Sequence, residues 1–146
     1  MLLSFFEGII AAIGALAVEL SPPIFGLAFS ETTLISLLFA ASVEEIIKYA
    51  FIYNHYLKLK TKEQILPSAF FIGLGFALID ILPKQLANQE NAISPFFGIF
   101  LIHLFTTTAL GLFFWKKGQK PLYLSSLVLI LNILLHFFYN FLVLRF

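Results

Sequence analysis

Five apolar runs, each near the length needed to cross a bilayer and each bounded by proline, serine or lysine, constrain this chain more than any other feature. The first covers residues 2–20 and ends at Ser21-Pro22-Pro23, which cannot continue a helix. The second covers 32–57, with Ser30 as N-cap and Glu31 in the first turn. The third opens at Pro67 and stops before Pro83, giving 67–82. The fourth, 95–115, starts at Ser94-Pro95 and ends at Trp115-Lys116-Lys117, and the fifth runs from Pro121 over 121–144. With 60% hydrophobic residues, 12% charged and 19 Phe, the 146 residues suit lipid rather than water as solvent. The expected fold is all-α, a polytopic transmembrane bundle of about five spans forming one integral membrane domain over 1–146.

Lysine placement sets the expected orientation. Lys58, Lys60 and Lys62 follow the second run, and Lys116, Lys117 and Lys120 follow the fourth, so both groups fall on one side, the cytoplasmic one. The remaining connections carry Glu19, Glu31 and Glu90 against Lys84. The N-terminus is therefore expected inside and the C-terminus outside. The first ten residues lack a basic start and carry Glu7, so the first run reads as a retained span. The third run is short for a span, which predicts little tilt or a locally thinned bilayer. The stretch 22–29 reads as a re-entrant or interfacial piece. The absence of Cys excludes disulfides, thiol nucleophiles and cysteine-ligated metals.

An ionisable side chain at the middle of a spanning helix costs on the order of 2.5 to 3.5 kcal/mol, so each requires a reason. Glu44, Glu45 and Lys48 fall in the second run, Asp80 in the third, His103 with Thr106, Thr107 and Thr108 in the fourth, and His136 with Asn140 in the fifth. Measured from the lysine-rich end of each run, Glu45, Asp80, His103 and His136 all lie roughly 18 to 22 Å deep. Four helices that turn these faces inward would gather carboxylates and imidazoles around one polar pocket nearer the outer surface. Residues four apart share a helix face, which pairs Glu44 with Lys48, His103 with Thr107, and His136 with Asn140. Glu44 and Glu45 are about 100° apart around their helix, so both border one cavity only if it is wide or the helix is distorted.

A carboxylate held in a poorly solvated pocket beside another suits a general base. It can take a proton from water, the hydroxide can attack a carbonyl, and His or Asn can stabilise the oxyanion. That chemistry suits peptide-bond hydrolysis inside a bilayer. Asp80 is the sole Asp, which excludes an Asp dyad, and Gly73-Leu74-Gly75-Phe76 lacks the aspartate of a GxGD site. Neither HExxH nor GxSxG occurs.

In order along the chain, Glu44-Glu45-Ile46-Ile47-Lys48 reads as EExxK, Phe76 to Asp80 as FxxxD, His103 to Thr107 as HxxxT and His136 to Asn140 as HxxxN. This series resembles the PrsW family of intramembrane proteases, within the wider group of CAAX prenyl endopeptidases and bacteriocin-processing membrane proteins, over about residues 42–140. The resemblance implies a glutamate-dependent peptidase of a prokaryotic plasma membrane that cuts a membrane-embedded or membrane-proximal protein or peptide. It implies that Glu44 or Glu45 activates water, that His103 and His136 assist, and that Asn140 contributes to the oxyanion site, with Lys48, Asp80 and Thr107 in support. The second motif departs from the family's usual Glu-Asn. Relatives include both glutamate and metal-dependent enzymes; the reading adopted is metal-free and cofactor-free, with zinc on the two His and the carboxylates as the competing one.

Two other functions use the same residue types. Buried Glu, Asp, His and Lys also line ion pathways, giving a small transporter or proton relay, and a catalytically inactive relative would bind membrane proteins without cutting them. His55, beside lysines, reads as solvated interface, and Glu7 and Glu19 as side chains reaching headgroups. Gly73 and Gly75 read as close-packing positions, Thr107 also as a hydroxyl bonded to its own backbone, and Trp115, Tyr53, Tyr56 and Tyr123 as an interfacial belt. No patch suits nucleic acid.

Overall fold

Away from water, a backbone satisfies its N–H and C=O groups either within a helix or in a closed barrel, and this chain takes the first route. The computed structural model describes residues 1–21, 34–58, 62–87, 93–117 and 123–145. These form α1 (Leu2–Glu19), α2 (Leu34–Lys58), one 3-10 turn (Lys62–Gln64), α3 (Ile65–Ala87), α4 (Ile93–Lys117) and α5 (Tyr123–Arg145). Four of them, through Leu2–Glu19, Ile65–Leu82, Phe97–Lys116 and Leu124–Val143, are long and apolar enough to cross a membrane. α2 is longer still at 25 residues, roughly 37 Å, but the clustering of Glu44, Glu45 and Lys48 keeps it from reading as apolar.

The inward and outward faces are reversed relative to a water-soluble bundle. α1 buries Ser4, Gly8, Ala11, Ala12 and Ala15 and exposes Leu2, Leu3, Phe6, Ile10 and Ile13. α5 buries Ser125, Asn132 and His136 while exposing Leu127, Ile130, Leu131, Leu134, Leu135 and Phe138. In lipid an apolar surface gains nothing by turning inward, so small and polar residues take the helix contacts and large apolar ones face outward. α2 obeys the same rule: its charged trio is buried, and Leu34, Ile35, Leu38 and Ile46 are exposed.

α3 packs between α1 and α4, α2 between α1 and α5, and α4 against α5, which closes a ring; α2 also touches α3 and α4. Glycines set the α3 contacts. A Cβ on Gly8 would strike the backbone of Ile72, and one on Gly75 the backbone of Phe5, so α1 and α3 cross with their main chains in near contact. Toward the lysine-rich end, Ile52, Ile65, Ala69, Ile72, Leu110 and Phe114 form an apolar layer. Tyr56 stacks on Phe114 there, ring centroids 5.2 Å apart, and Tyr53 packs tilted against the same ring at 5.7 Å. A second layer joins Ala11, Ala12 and Ala15 of α1 to Phe76 of α3.

The runs expected from sequence match the helices apart from the third. Pro83 does not end α3, which continues to Ala87 and reaches 23 residues, roughly 35 Å. The helix is longer than expected, while its apolar stretch, Ile65–Leu82, ends at the residue the sequence indicated. A proline deletes one backbone bond but does not force a stop when neighbouring helices hold the turn, whereas Pro67, in the first turn, costs no intrahelical bond. The proposed cap at Ser30 and the re-entrant piece at 22–29 lie outside the described residues. α4 begins at Ile93, so Ser94 and Pro95 fall in its first turn rather than before it.

Candidate active site

α2 supplies the acidic side of the site because its residues 44, 45 and 48 turn into the ring of helices; relative exposures are 6% for Glu44 and 0% for Glu45 and Lys48. α3 brings Asp80, α4 brings His103 and Thr106, and α5 brings Asn132 and His136, all buried. The inward convergence expected for Glu44, Glu45, Lys48, Asp80, His103 and His136 is the arrangement observed.

Lys48 organises one half. Its Nζ donates to Oε1 of Glu45, to Oγ1 of Thr106 at 3.1 Å, and lies 3.1 Å from Nδ1 of His103. A lysine ammonium has no acceptor, so Nδ1 of His103 is the acceptor and Nε2 carries the hydrogen. That Nε2 is 3.0 Å from Oδ2 of Asp80 and 3.7 Å from Oε2 of Glu44. His103 is thereby held as a neutral ring with its N–H directed at the carboxylates.

His136 organises the other half. Its Nδ1 is 2.9 Å from Oε1 of Glu45, and a carboxylate can only accept, so Nδ1 donates; in the neutral ring Nε2 is then the acceptor. Nε2 lies 3.8 Å from Oε2 of Glu44. The two neighbouring carboxylates thus meet the same imidazole without distortion of α2, because His136 spans the roughly 100° between them. The two rings meet edge to face, centroids 5.1 Å apart and planes at 89°.

Glu44 differs from Glu45. Oε1 of Glu45 accepts from both Lys48 and His136, whereas Oε2 of Glu44 is buried with no hydrogen bond to a described residue. The second oxygen of Glu45 also has none, but the first already serves two donors. A buried carboxylate oxygen left in this way, flanked by two imidazole Nε2 atoms, calls for a polar partner.

One oxygen of Glu44 and one nitrogen each of His103 and His136 lie within 4.8 Å of one another. Zinc held by such ligands sets them about 3.3 Å apart, so the spacing nearly fits a metal. The hydrogen bonding does not. A metal on Nε2 of His103 would put the ring hydrogen on Nδ1, directly against the Lys48 ammonium, where no acceptor exists.

The remaining expectations divide. The pair at spacing four, Glu44 and Lys48, is not formed: Lys48 turns toward α4 and takes Glu45 at spacing three. Thr107 donates to the carbonyls of His103 and Leu104, at 2.7 and 3.2 Å, and so bonds its own helix; Thr106 is the hydroxyl that faces Lys48. Asn140 is half-buried one turn past His136 and hydrogen-bonds to none of these groups. His55 and Glu7 are not separate interface residues. They pair across α1 and α2 at 3.1 Å, with side chains 13% and 23% exposed.

Three participants were not assigned to the site from the sequence. Asn132, one turn before His136, donates to the Thr106 carbonyl at 2.9 Å and ties α5 to α4; its spacing of four from His136 was the available signal. Thr106 was masked by the stronger spacing of Thr107. Glu19, expected among headgroups, lines a cleft that also contains Glu44 and Asp80.

No protein-family model matches the chain, and neither the curated proteins nor the solved structures contain a match to it.

Proposed function

We propose that the chain is an intramembrane endopeptidase that hydrolyses a peptide bond of a membrane-embedded or membrane-proximal substrate with water activated by Glu44. The observation that carries this reading is the position of Glu44 Oε2, buried without a hydrogen bond to any described residue and lying 3.7 and 3.8 Å from the Nε2 atoms of His103 and His136. The motif order that resembles the PrsW family agrees with it.

The roles follow from which atoms donate and which accept. Oε2 of Glu44 and the lone pair on Nε2 of His136 are adjacent acceptors, so a water donating to both has its oxygen lone pair directed away from them. Glu44 takes one proton as that oxygen attacks the scissile carbonyl carbon. The carbonyl oxygen becomes an oxyanion within reach of the Nε2–H of His103, whose direction Lys48 fixes from behind. Collapse of the tetrahedral intermediate breaks the C–N bond, and the proton on Glu44 passes to the leaving amine. Products are a carboxylic acid and an amine, and Glu44 is regenerated. Glu45 orients His136, as a carboxylate behind an imidazole does in other hydrolases. Asp80 orients His103.

The setting in this reading is a prokaryotic plasma membrane, with the N-terminus and both lysine-rich connections cytoplasmic and the C-terminus external. The site then lies beyond the midplane, away from the layer of Tyr53, Tyr56 and Phe114. Reconstitution with transmembrane peptides in oxygen-18 water tests the chemistry: one heavy oxygen is expected in each new C-terminal carboxyl group. Ion or proton flux through the same vesicles without peptide products would instead establish a transport function.

A further inference from the structure

Phe76 and Asp80 are four residues apart on α3 and share its inward face. Together they grip His103: the carboxylate meets Nε2 at 3.0 Å, and the Phe76 ring packs tilted against the imidazole, centroids 5.0 Å apart. The same phenyl ring stands 5.0 Å from Nζ of Lys48 and is 1% exposed. The three hydrogens of that ammonium are matched by Oε1 of Glu45, Oγ1 of Thr106 and Nδ1 of His103. A competing attraction lies one turn away. Glu44 is four residues before Lys48, the favourable order for a helical ion pair, and its buried Oε2 has no hydrogen bond to a described residue. Phe76 also borders Glu44 and Asp80, so its ring adjoins both the place the ammonium occupies and the carboxylate it does not take.

We infer that Phe76 is a positioning residue, whose ring holds the Lys48 ammonium on Glu45, Thr106 and His103 and keeps it from Glu44. The catalytic consequence rests on the peptidase reading. The negative face of a phenyl ring attracts a cation, most strongly away from water, and the ring itself neither takes a proton nor competes for His103. A move of the ammonium to Glu44 would have two effects. It would pair the carboxylate that activates water, and it would free Nδ1 of His103 to carry the ring hydrogen, turning Nε2 from donor to acceptor where the oxyanion forms. An aliphatic side chain fills the same space without offering such a face, so the ammonium gains nothing by staying beside it.

The test uses the full chain in vesicles as wild type, as Phe76→Leu, and with trifluorophenylalanine in place of Phe76, which keeps the ring's shape and weakens its negative face. Nitrogen-15 spectra of labelled histidine report the His103 tautomer, its signals assigned by their loss in His103→Gln. Cleavage of a leucine-alanine transmembrane peptide separately reports kcat and KM. Wild type should carry the His103 hydrogen on Nε2 alone. Both variants should show a second population with hydrogen on Nδ1, and kcat should fall about tenfold, the scale of a lost cation–π contact away from water, with KM within about twofold of wild type. The fluorinated protein should unfold at the wild-type midpoint. An unchanged tautomer in both variants, or a change in Phe76→Leu with none in the fluorinated protein, overturns the role of the ring face. A tautomer change with no product from any protein, wild type included, preserves the hold on Lys48 and removes the peptidase reading. Product from all three at equal kcat with His103 unchanged does the reverse.

Discussion

Nζ of Lys48 lies 3.1 Å from Nδ1 of His103, with both side chains fully buried. The contact makes Nδ1 an acceptor and places the ring hydrogen on Nε2, which disfavours a metal at that nitrogen. Peptide cleavage by the purified protein should therefore survive exhaustive chelation within about twofold of the untreated rate, and added zinc should not raise it. Loss of activity on chelation, restored by zinc alone, would contradict this assignment of His103.

The neighbouring glutamates should separate in stability as well as in activity. Glu45 is paired with Lys48 and His136, and removal of one partner from a buried ion pair typically costs about 3–5 kcal/mol. Glu44 has only the longer contacts, 3.7 and 3.8 Å, to His103 and His136. In detergent unfolding, Glu45→Gln should be destabilised by about that amount and Glu44→Gln should stay within about 1 kcal/mol of wild type. Equal destabilisation of both would show that Glu44 is a structural anchor instead.

Gly73 of α3 faces the α4 turn that holds His103. A Cβ there would run into Oγ1 of Thr107 and approach the His103 carbonyl at 3.1 Å. Gly73→Ala should push α3 from α4, cost about 1–3 kcal/mol, and lower activity by loosening the 3.0 Å contact of His103 with Asp80. Adding Thr107→Ala removes the obstructing hydroxyl and should recover part of the stability. Additive losses in the double variant would show that the two positions do not meet.

Much of this was legible in the sequence because the bilayer simplifies it. Length and punctuation located the helices, and the price of charge in lipid singled out Glu44, Glu45, Lys48, Asp80, His103 and His136 before any geometry was known. Pairing was less legible. Spacings of three and four are nearly equivalent on a helix, so Glu44 looked like the partner of Lys48 and Thr107 like that of His103, where Glu45 and Thr106 are the ones that Lys48 touches. The choice depends on where α4 lies relative to α2, which no single run encodes. Glu19 was read as a headgroup contact because a terminal acid in a span commonly is one. Its place in the cleft depends on α1 crossing α3 at Gly8 and Gly75.

The lack of Cys makes orientation directly measurable. Single cysteines at Lys58 or Lys116 should react with an impermeant maleimide only from the cytoplasmic face, and those at Leu20 or Val143 only from the external face. Labelling of Lys58→Cys and Leu20→Cys from the same side would contradict the proposed topology.

The most direct test is the rate of peptide cleavage in vesicles by wild type and Glu44→Gln, with helical content and unfolding midpoint recorded for both. Wild type should release products. Glu44→Gln, equally folded, should be slower by at least about a hundredfold, the scale of a lost general base. Equal rates in the two proteins would contradict the assignment of water activation to Glu44.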